Sequence, residues 1–385
     1  MLKLKEIFPW FYLFSRDFLA EYQWRSKIKF FQFDLPFFSA ILLLIILGLT
    51  ILSSALIDHL NLFYHQIVHY IFAILFLLLA SSIPLRFYQR FATLIYLFTL
   101  SLLVIVLLVG HTKQGGQRWI KLFIFNLQSS EIMKVALPLF LANYLSKITS
   151  PLNKTSLFIA LIIIALPVLL IMKEPDLGTA VLLMISGAVM IFLAGISFRA
   201  LVFILVIFTG LFGLLWHFFM HSYQKNRIIT FLHPDRDPLN HGYHILQSKI
   251  AIGSGGWLGK GLFHGTQTHL SFLPENSTDF IFAVFSEELG LSGFLILLSL
   301  LVFFGAQILQ IAQDAKSPFS RLLGGTIAIT IALTVLINIA MVIGLLPVVG
   351  IPLPFLSYGG SYLISLFIML GILISISKER NLIAR

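Results

Sequence analysis

Ten apolar runs, each near the length of a membrane-crossing helix and separated by polar breaks, restrict what this chain can fold into. They fall at 35–56, 66–84, 90–110, 130–147, 155–173, 177–195, 199–220, 280–311, 322–346 and 355–377. A spanning helix needs about 20 apolar residues, and in lipid only helices or closed barrels satisfy their own backbone. The predicted fold is therefore an all-α polytopic membrane protein of about ten transmembrane helices. Only 11% of the 385 residues are charged and 58% are hydrophobic, against roughly 25% charged in a soluble domain. Cysteine is absent, which excludes disulfides and thiolate metal sites.

The cations orient this bundle. With the N-terminus inside, sixteen of the 26 Lys and Arg fall on the cytoplasmic side and nine outside, while Lys134 lies within a predicted span. The short outer loops near Asp58 and Pro347 carry no Lys or Arg. The positive-inside rule then predicts both termini in the cytoplasm, with one large extracytoplasmic loop, residues 222–279, between spans 7 and 8. The net charge of +10 is scattered between apolar runs, which argues for membrane orientation and against nucleic acid. Residues 1–33 mix Lys3, Lys5, Arg16, Arg25, Lys27 and Lys29 with Trp10, Tyr12 and Trp24, without a signal-peptide cleavage site. They read as a cytoplasmic or interfacial segment, or as a disordered basic tail. Residues 34–377 then form a single transmembrane domain, and 378–385 a cytoplasmic tail.

Most of the soluble chemistry lies between His221 and Gly290, with the acids Asp235, Asp237, Glu275, Asp279, Glu287 and Glu288 and six glycines between 253 and 265. Three further polar clusters fall at outer ends of spans. In the first, Glu131 and Lys134 are three residues apart and share a helix face. At membrane depth such a pair is either functional or a structural lock between helices. In KEPDLGTA, residues 173–180, Asp176 is a helix cap or a functional acid. The third, Asn338 to Ser361, holds Pro347, Pro352 and Pro354 with Gly350. That composition forbids a continuous helix and predicts broken backbone lining a cavity.

Four segments in order, QSSEIMK at 128–134, EPDLGT at 174–179, LPENSTDFIFAVFSEELG at 273–290 and the run from Asn338 to Ser361, resemble the RodA/FtsW/SpoVE family, the SEDS proteins of bacterial cell-wall synthesis. YHILQSKIAIGSGGWLGKG with HGTQTHLSFLP is most similar to the rod-shape branch. The likeness runs from about Asp34 to Ser377. It implies a peptidoglycan glycosyltransferase of the bacterial cytoplasmic membrane that polymerises lipid II at the outer face during cell elongation. The implied partners are a class B penicillin-binding protein transpeptidase and other elongation-complex membrane proteins. It also implies that Asp279 is the essential carboxylate, that Glu131, Lys134 and Asp176 line a central cavity, and that Arg118 matches a basic residue just before the fourth span. Three residues depart from the family's usual pattern: Ser129 for Pro, Glu174 for Gln, and Tyr362 for a small residue.

Joining two lipid-linked disaccharides displaces a pyrophosphate from an anomeric carbon by a sugar hydroxyl. The step needs a carboxylate to take the proton and cations for the leaving charge. Asp279 follows the polar approach Glu275–Thr278 at the mouth of the span beginning at Phe280, where partial desolvation makes a carboxylate a better base. Its alternative role is an N-cap, which Ser277 or Thr278 could fill instead. Candidate pyrophosphate ligands are Arg118, Lys134, Lys225, Arg227 and Lys249, each of which could equally anchor at headgroups. Of the loop histidines, His233, His241, His244, His264 and His269, only His241 and His244 have helical spacing, and no compact ligand set accompanies them. No cofactor is required by the sequence; a divalent cation, Mg or Mn, bridging pyrophosphate is compatible with it. The rival functions are a lipid II flippase and a non-catalytic scaffold for a penicillin-binding protein.

Overall fold

The computed structural model describes residues 35–113, 116–121, 126–148, 152–196, 241–270, 272–273 and 275–381, with isolated positions between 199 and 231. The expectations for residues 1–33, for most of the span at 199–220, for Arg227 and His233, and for the tail beyond 381 lie outside the described residues. The described chain is mostly helical. It runs through α1 (Leu35–Ala55), α2 (Leu60–Ser82), α3 (Leu85–Val109), α4 (Ser129–Leu145), α5 (Lys154–Lys173) and α6 (Leu177–Leu193). After the central stretch come α7 (His241–Gly255), α8 (Thr266–His269), α9 (Ile281–Gln313), α10 (Pro318–Val342) and α11 (Gly360–Asn381). Seven of these, α1, α2, α3, α5, α9, α10 and α11, are long and apolar enough to cross a membrane, and α6 is a shorter apolar helix.

The helices start where the sequence supplies caps. Asn153 Oδ1 accepts from Ser156 N at 2.7 Å before α5, and Ser317 Oγ accepts from Ser320 N at 3.0 Å before α10, with Pro318 at the first helical position. Three departures from the expected pattern matter for the site. Residues between α3 and α4 form an antiparallel sheet, β1 (His111–Lys113), β2 (Gly116–Lys121) and β3 (Asn126–Gln128), so the fold is not purely helical. Its register pairs Trp119 with both His111 and Gln128. The polar, Gly-rich sequence here cannot continue a helix, and strand pairing satisfies its backbone instead.

The second departure is in α9, which is bent at Gly290 (φ 61°, ψ −159°). Residues 281–289 are set off from the membrane-length run 291–313, whose first amides, Leu291 N and Ser292 N, donate to Gly256 O and Trp257 O at 2.9 Å. Third, α10 stops at Val342 and α11 starts only at Gly360, so the expected spans to 346 and from 355 are both displaced by the proline-rich segment between them. Phe355 in that segment has φ +66° and no exposed surface, a strained backbone held by its surroundings. Its ring meets Phe304 edge-on at 5.4 Å and Phe367 at 6.1 Å, and Phe304 stacks on Phe37 at 5.7 Å.

Close backbone approach ties α11 to α2: a Cβ at Gly371 would sit 2.6 Å from Leu77 O. At the end of the bundle away from the sheet, Ser375 Oγ donates to Ile83 O at 2.8 Å and Ser320 Oγ to Glu379 Oε2 at 3.1 Å. The broken segment, the sheet and α7 gather at the other end, called here the loop end.

Candidate functional site

At the loop end, Asp279 is half-buried in the turn that leads into α9. Within the turn, Thr278 Oγ1 donates to Glu275 Oε2 at 2.8 Å and Phe280 N to Glu275 O at 3.1 Å. Phe280 occupies the cap position of α9 and its side chain makes no capping bond, so Ser277, Thr278 and Asp279 all lie outside the cap. Three successive carbonyls of the turn are held from the broken segment and α10. Tyr358 N donates to Ser277 O at 2.8 Å, Ser357 Oγ to Thr278 O at 2.7 Å, and Asn338 Nδ2 to Asp279 O at 3.0 Å. Gly350, at φ +72°, passes so close that its Cβ would lie 3.6 Å from Asp279 Oδ2.

The far side of the broken segment is fastened to α2. Gln66 donates through Nε2 to Ser357 O at 3.3 Å and accepts through Oε1 from Gly359 N at 3.1 Å, while Tyr70 OH donates to Phe355 O. His69 faces Tyr358 with ring centres 5.8 Å apart. Ser361 joins β3 to the start of α11, donating to Asn126 O and accepting from Gln128 N at 3.2 Å.

Arg118 and Asp176 meet at a second cluster. Arg118 donates through Nε to Glu174 O at 2.9 Å and through Nη2 to Pro175 O. Asp176 caps α6, with Oδ1 accepting from Thr179 N at 3.2 Å, and its Oδ2 accepts from Gln128 Nε2 at 3.0 Å and Ser130 Oγ at 3.1 Å. The acid therefore serves as a cap and as a tie between α6, β3 and α4. Between them lies Glu174, with no exposed surface and Oε1 3.4 Å from Ser129 Oγ. Burial, reinforced by Asp176 and opposed by the Ser129 hydroxyl and Arg118, pushes its carboxyl up to about 8.

Glu131 and Lys134 form the expected i,i+3 pair at 2.6 Å, both buried, and Ser365 Oγ of α11 donates to Glu131 Oε2 at 2.9 Å. With Thr330, Thr334 and Tyr362 they line a cavity of about 10 Å³ between α4, α10 and α11, room for about one water molecule. Lys249, exposed on α7, lies over Gly344, where an added Cβ would come 2.7 Å from its Nζ. The expected residues thus fall into three groups, Asp279 with Gly350, Arg118 with Asp176, and Glu131 with Lys134, while Lys249 lies apart against Gly344.

Two of the loop glycines, Gly255 and Gly259, are packing residues. An added Cβ at Gly255 would collide with the Ser286 carbonyl, and at Gly259 with the Glu288 carbonyl. Lys260 Nζ pairs with the buried Glu287 Oε1 at 2.6 Å, which also accepts from Thr266 Oγ1 and Gln267 N at 3.1 Å; Ser54 Oγ of α1 donates to Glu288 Oε1. His244 sits 6.1 Å ring to ring from Phe280. Among the described residues no three His, Asp or Glu side chains form a metal-binding group. Sequence reasoning assigned no role to Gln66, Gln128, Asn338 or Ser357, although the last three lie within motifs it used. A buried amide or hydroxyl demands a partner without naming it.

A helical bundle in which seven of the described helices are long and apolar enough to cross a membrane, with strained, proline-broken backbone at one end, defines a polytopic membrane protein. The family model for FtsW, RodA and SpoVE, described as cell cycle protein, matches residues 31–382, and the chain belongs to that family. It is 42% identical over 349 residues to the peptidoglycan glycosyltransferase MrdB of Escherichia coli K12, covering 89% of this chain and 94% of that protein. The probable peptidoglycan glycosyltransferase FtsW of Wigglesworthia glossinidia brevipalpis is 36% identical over 366 residues, covering 91% and 94%. Among solved structures, a chain from a peptidoglycan synthase complex described for its coordination of polymerization and crosslinking superposes with TM-score 0.80 at 27% identity, covering 92% of this chain and 100% of that one. The rod shape determining protein RodA of Thermus thermophilus gives TM-score 0.70 at 26% identity, covering 91% and 98%.

Proposed function

We infer that the chain is a peptidoglycan glycosyltransferase, and that it polymerises lipid II into glycan strands at the extracytoplasmic face of the bacterial cytoplasmic membrane during elongation of rod-shaped cells. Peptidoglycan glycosyl transfer by a multi-pass membrane protein follows from family membership and from the 42% identity to a protein of that activity. The finer reading rests on one observation: the half-buried carboxylate of Asp279 lies at the loop end beside Gly350, on a turn anchored by three successive carbonyls. In this reading both termini are cytoplasmic, about ten helices span, and the loop end faces outward.

Asp279 takes the proton of the attacking sugar hydroxyl as the bond from the anomeric carbon to undecaprenyl pyrophosphate breaks, a displacement that inverts the anomeric centre. We assign Lys249 to the leaving pyrophosphate. It is exposed over the segment that runs on to Gly350, whereas Lys134 is paired with Glu131 and Arg118 binds two backbone carbonyls. Glu131 and Lys134 line the small cavity between α4, α10 and α11, while Arg118 and Asp176 hold the turn between α5 and α6. A Mg or Mn ion carried on the pyrophosphate would add to the charge of Lys249 without a resident cage. The likeness to a synthase complex that couples polymerization to crosslinking supports a class B penicillin-binding protein as partner.

The test is glycan polymerisation from lipid II by the purified chain with its crosslinking partner, wild type against Asp279→Asn. The expected result is long glycan from wild type and a loss of at least about 10²-fold in the folded, partner-bound variant. Equal rates in the two would remove Asp279 from the chemistry. Inactivity of both, with lipid II movement in vesicles, would favour the flippase, and inactivity in both assays the scaffold.

A further inference from the structure

We propose that Asn338 and Ser357 are positioning residues for Asp279, which fix the catalytic turn by gripping its backbone from a different part of the chain. The proposal rests on the reading of Asp279 as the base.

A turn between a loop and a helix is an unpromising place for a precise catalytic group. Its own local bonds, Thr278 N to Glu275 O at 3.3 Å and Phe280 N to Glu275 O at 3.1 Å, close the turn but leave its position on the bundle undetermined. That position comes from residues some sixty to eighty positions later in the chain. Asn338 is fully buried in α10, and its one Nδ2 amide spends both protons on carbonyls, Asp279 O at 3.0 Å and Ile351 O at 2.7 Å. Only the NH2 face of an amide can serve two acceptors, so the orientation is fixed by its surroundings. Asn338 thereby fastens the residue bearing the carboxylate to the strand of backbone immediately after Gly350, the glycine that passes beside Asp279 Oδ2.

Ser357 does the same one residue earlier. Its hydroxyl is fully buried, donates to Thr278 O at 2.7 Å and accepts from Leu353 N at 2.7 Å. The segment that carries Ser357 is itself immobilised by Gln66 and Tyr70 of α2. The carboxylate is therefore set by a relay from α2 through residues 353–359 to the turn, with Asn338 as a second, independent strut from α10. Neither side chain contacts the carboxylate group through these bonds. A displacement of the base by about 1 Å is enough to cost roughly 10²-fold in rate, so loss of a strut should appear in turnover and leave substrate binding nearly intact.

The experiment compares Asn338→Leu, Ser357→Ala and Ser357→Thr with wild type and Asp279→Asn in the full-length protein. Readouts are kcat and KM for lipid II and the thermal midpoint of each purified protein. We expect Asn338→Leu and Ser357→Ala to lose roughly 10- to 100-fold in kcat with KM within about twofold, in samples that stay folded at the assay temperature. Ser357→Thr, which keeps the hydroxyl, should recover most of the rate. If Asp279→Asn is inactive while Asn338→Leu and Ser357→Ala turn over like wild type, the positioning role is wrong and the catalytic reading of Asp279 stands. If their losses instead track an unfolded fraction and Ser357→Thr rescues nothing, the two residues are merely structural. Wild-type turnover by Asp279→Asn would remove the base and, with it, any residue assigned to position it.

Discussion

Glu174 shows how a single residue can make this fold sensitive to pH. The acid is fully buried and lies beside Asp176. Its carboxyl is raised from 4.5 to about 8. A folded-state value above the unfolded one means that the folded protein binds the proton more tightly. The stabilisation from that proton is complete below the unfolded value and is lost as pH rises through about 8. Glu174→Gln, which keeps the shape and can never ionise, should therefore leave the thermal midpoint almost unchanged near pH 4.5. The variant should gain progressively towards pH 8, by on the order of a few kcal/mol. Melting both proteins across that range is the check, and a constant difference at every pH would show that ionisation of Glu174 is not the cause. Residues of this kind mark the limit of reading by spacing. Glu131 and Lys134 declare their contact because one helix face brings them together. Asn338 and Gln66 give no such sign, since an amide in an apolar run can meet any carbonyl that tertiary packing delivers.

At the scale of elements, the loop end is built by backbone approach, and glycines carry it. Gly259, at φ +78°, donates to Gly255 O at 2.8 Å and lies against the Glu288 carbonyl; the next two amides, Lys260 N and Gly261 N, donate to Glu287 O at 3.0 Å and Glu288 O at 2.9 Å. Gly259→Ala meets both a disfavoured φ and a collision with that carbonyl, with backbone strain alone costing on the order of 1–3 kcal/mol. It should lower the thermal midpoint and expose residues 241–270 to limited proteolysis. Gly253→Ala provides the contrast: nothing lies within 4 Å of its added Cβ, and in α7 alanine should stabilise by up to about 1 kcal/mol. Protease maps of the two variants decide whether the loop is held in this way; equal protection in both would mean that it is not. The long apolar helices were legible because their composition satisfies one strong rule, length against bilayer thickness. The sheet between α3 and α4, the bend at Gly290 and the shortened α10 were not. Each is decided by where backbone groups find partners, and hydropathy carries no record of that.

For the molecule as a whole, orientation remains the inference with the widest reach, because it decides which compartment meets Asp279. The bundle has two chemically distinct ends. One gathers the sheet, the broken segment and the turn of Asp279, and the other carries Lys316, Arg321 and Lys378 where α9, α10 and α11 meet. After Gly290, residues 291–313 give about 34 Å of helix at 1.5 Å per residue, enough to separate the two ends by a full bilayer core. The native chain contains no cysteine, so single substitutions report without background. His264 and Lys316 are both exposed and flank α9 on opposite ends. In intact spheroplasts a membrane-impermeant thiol reagent should modify His264→Cys rapidly and Lys316→Cys only after lysis, at least about tenfold apart in rate if the bilayer is the barrier. The opposite order would turn Asp279 towards the cytoplasm, away from a polymer assembled outside the membrane, and the proposed reaction would then have to be abandoned along with the orientation.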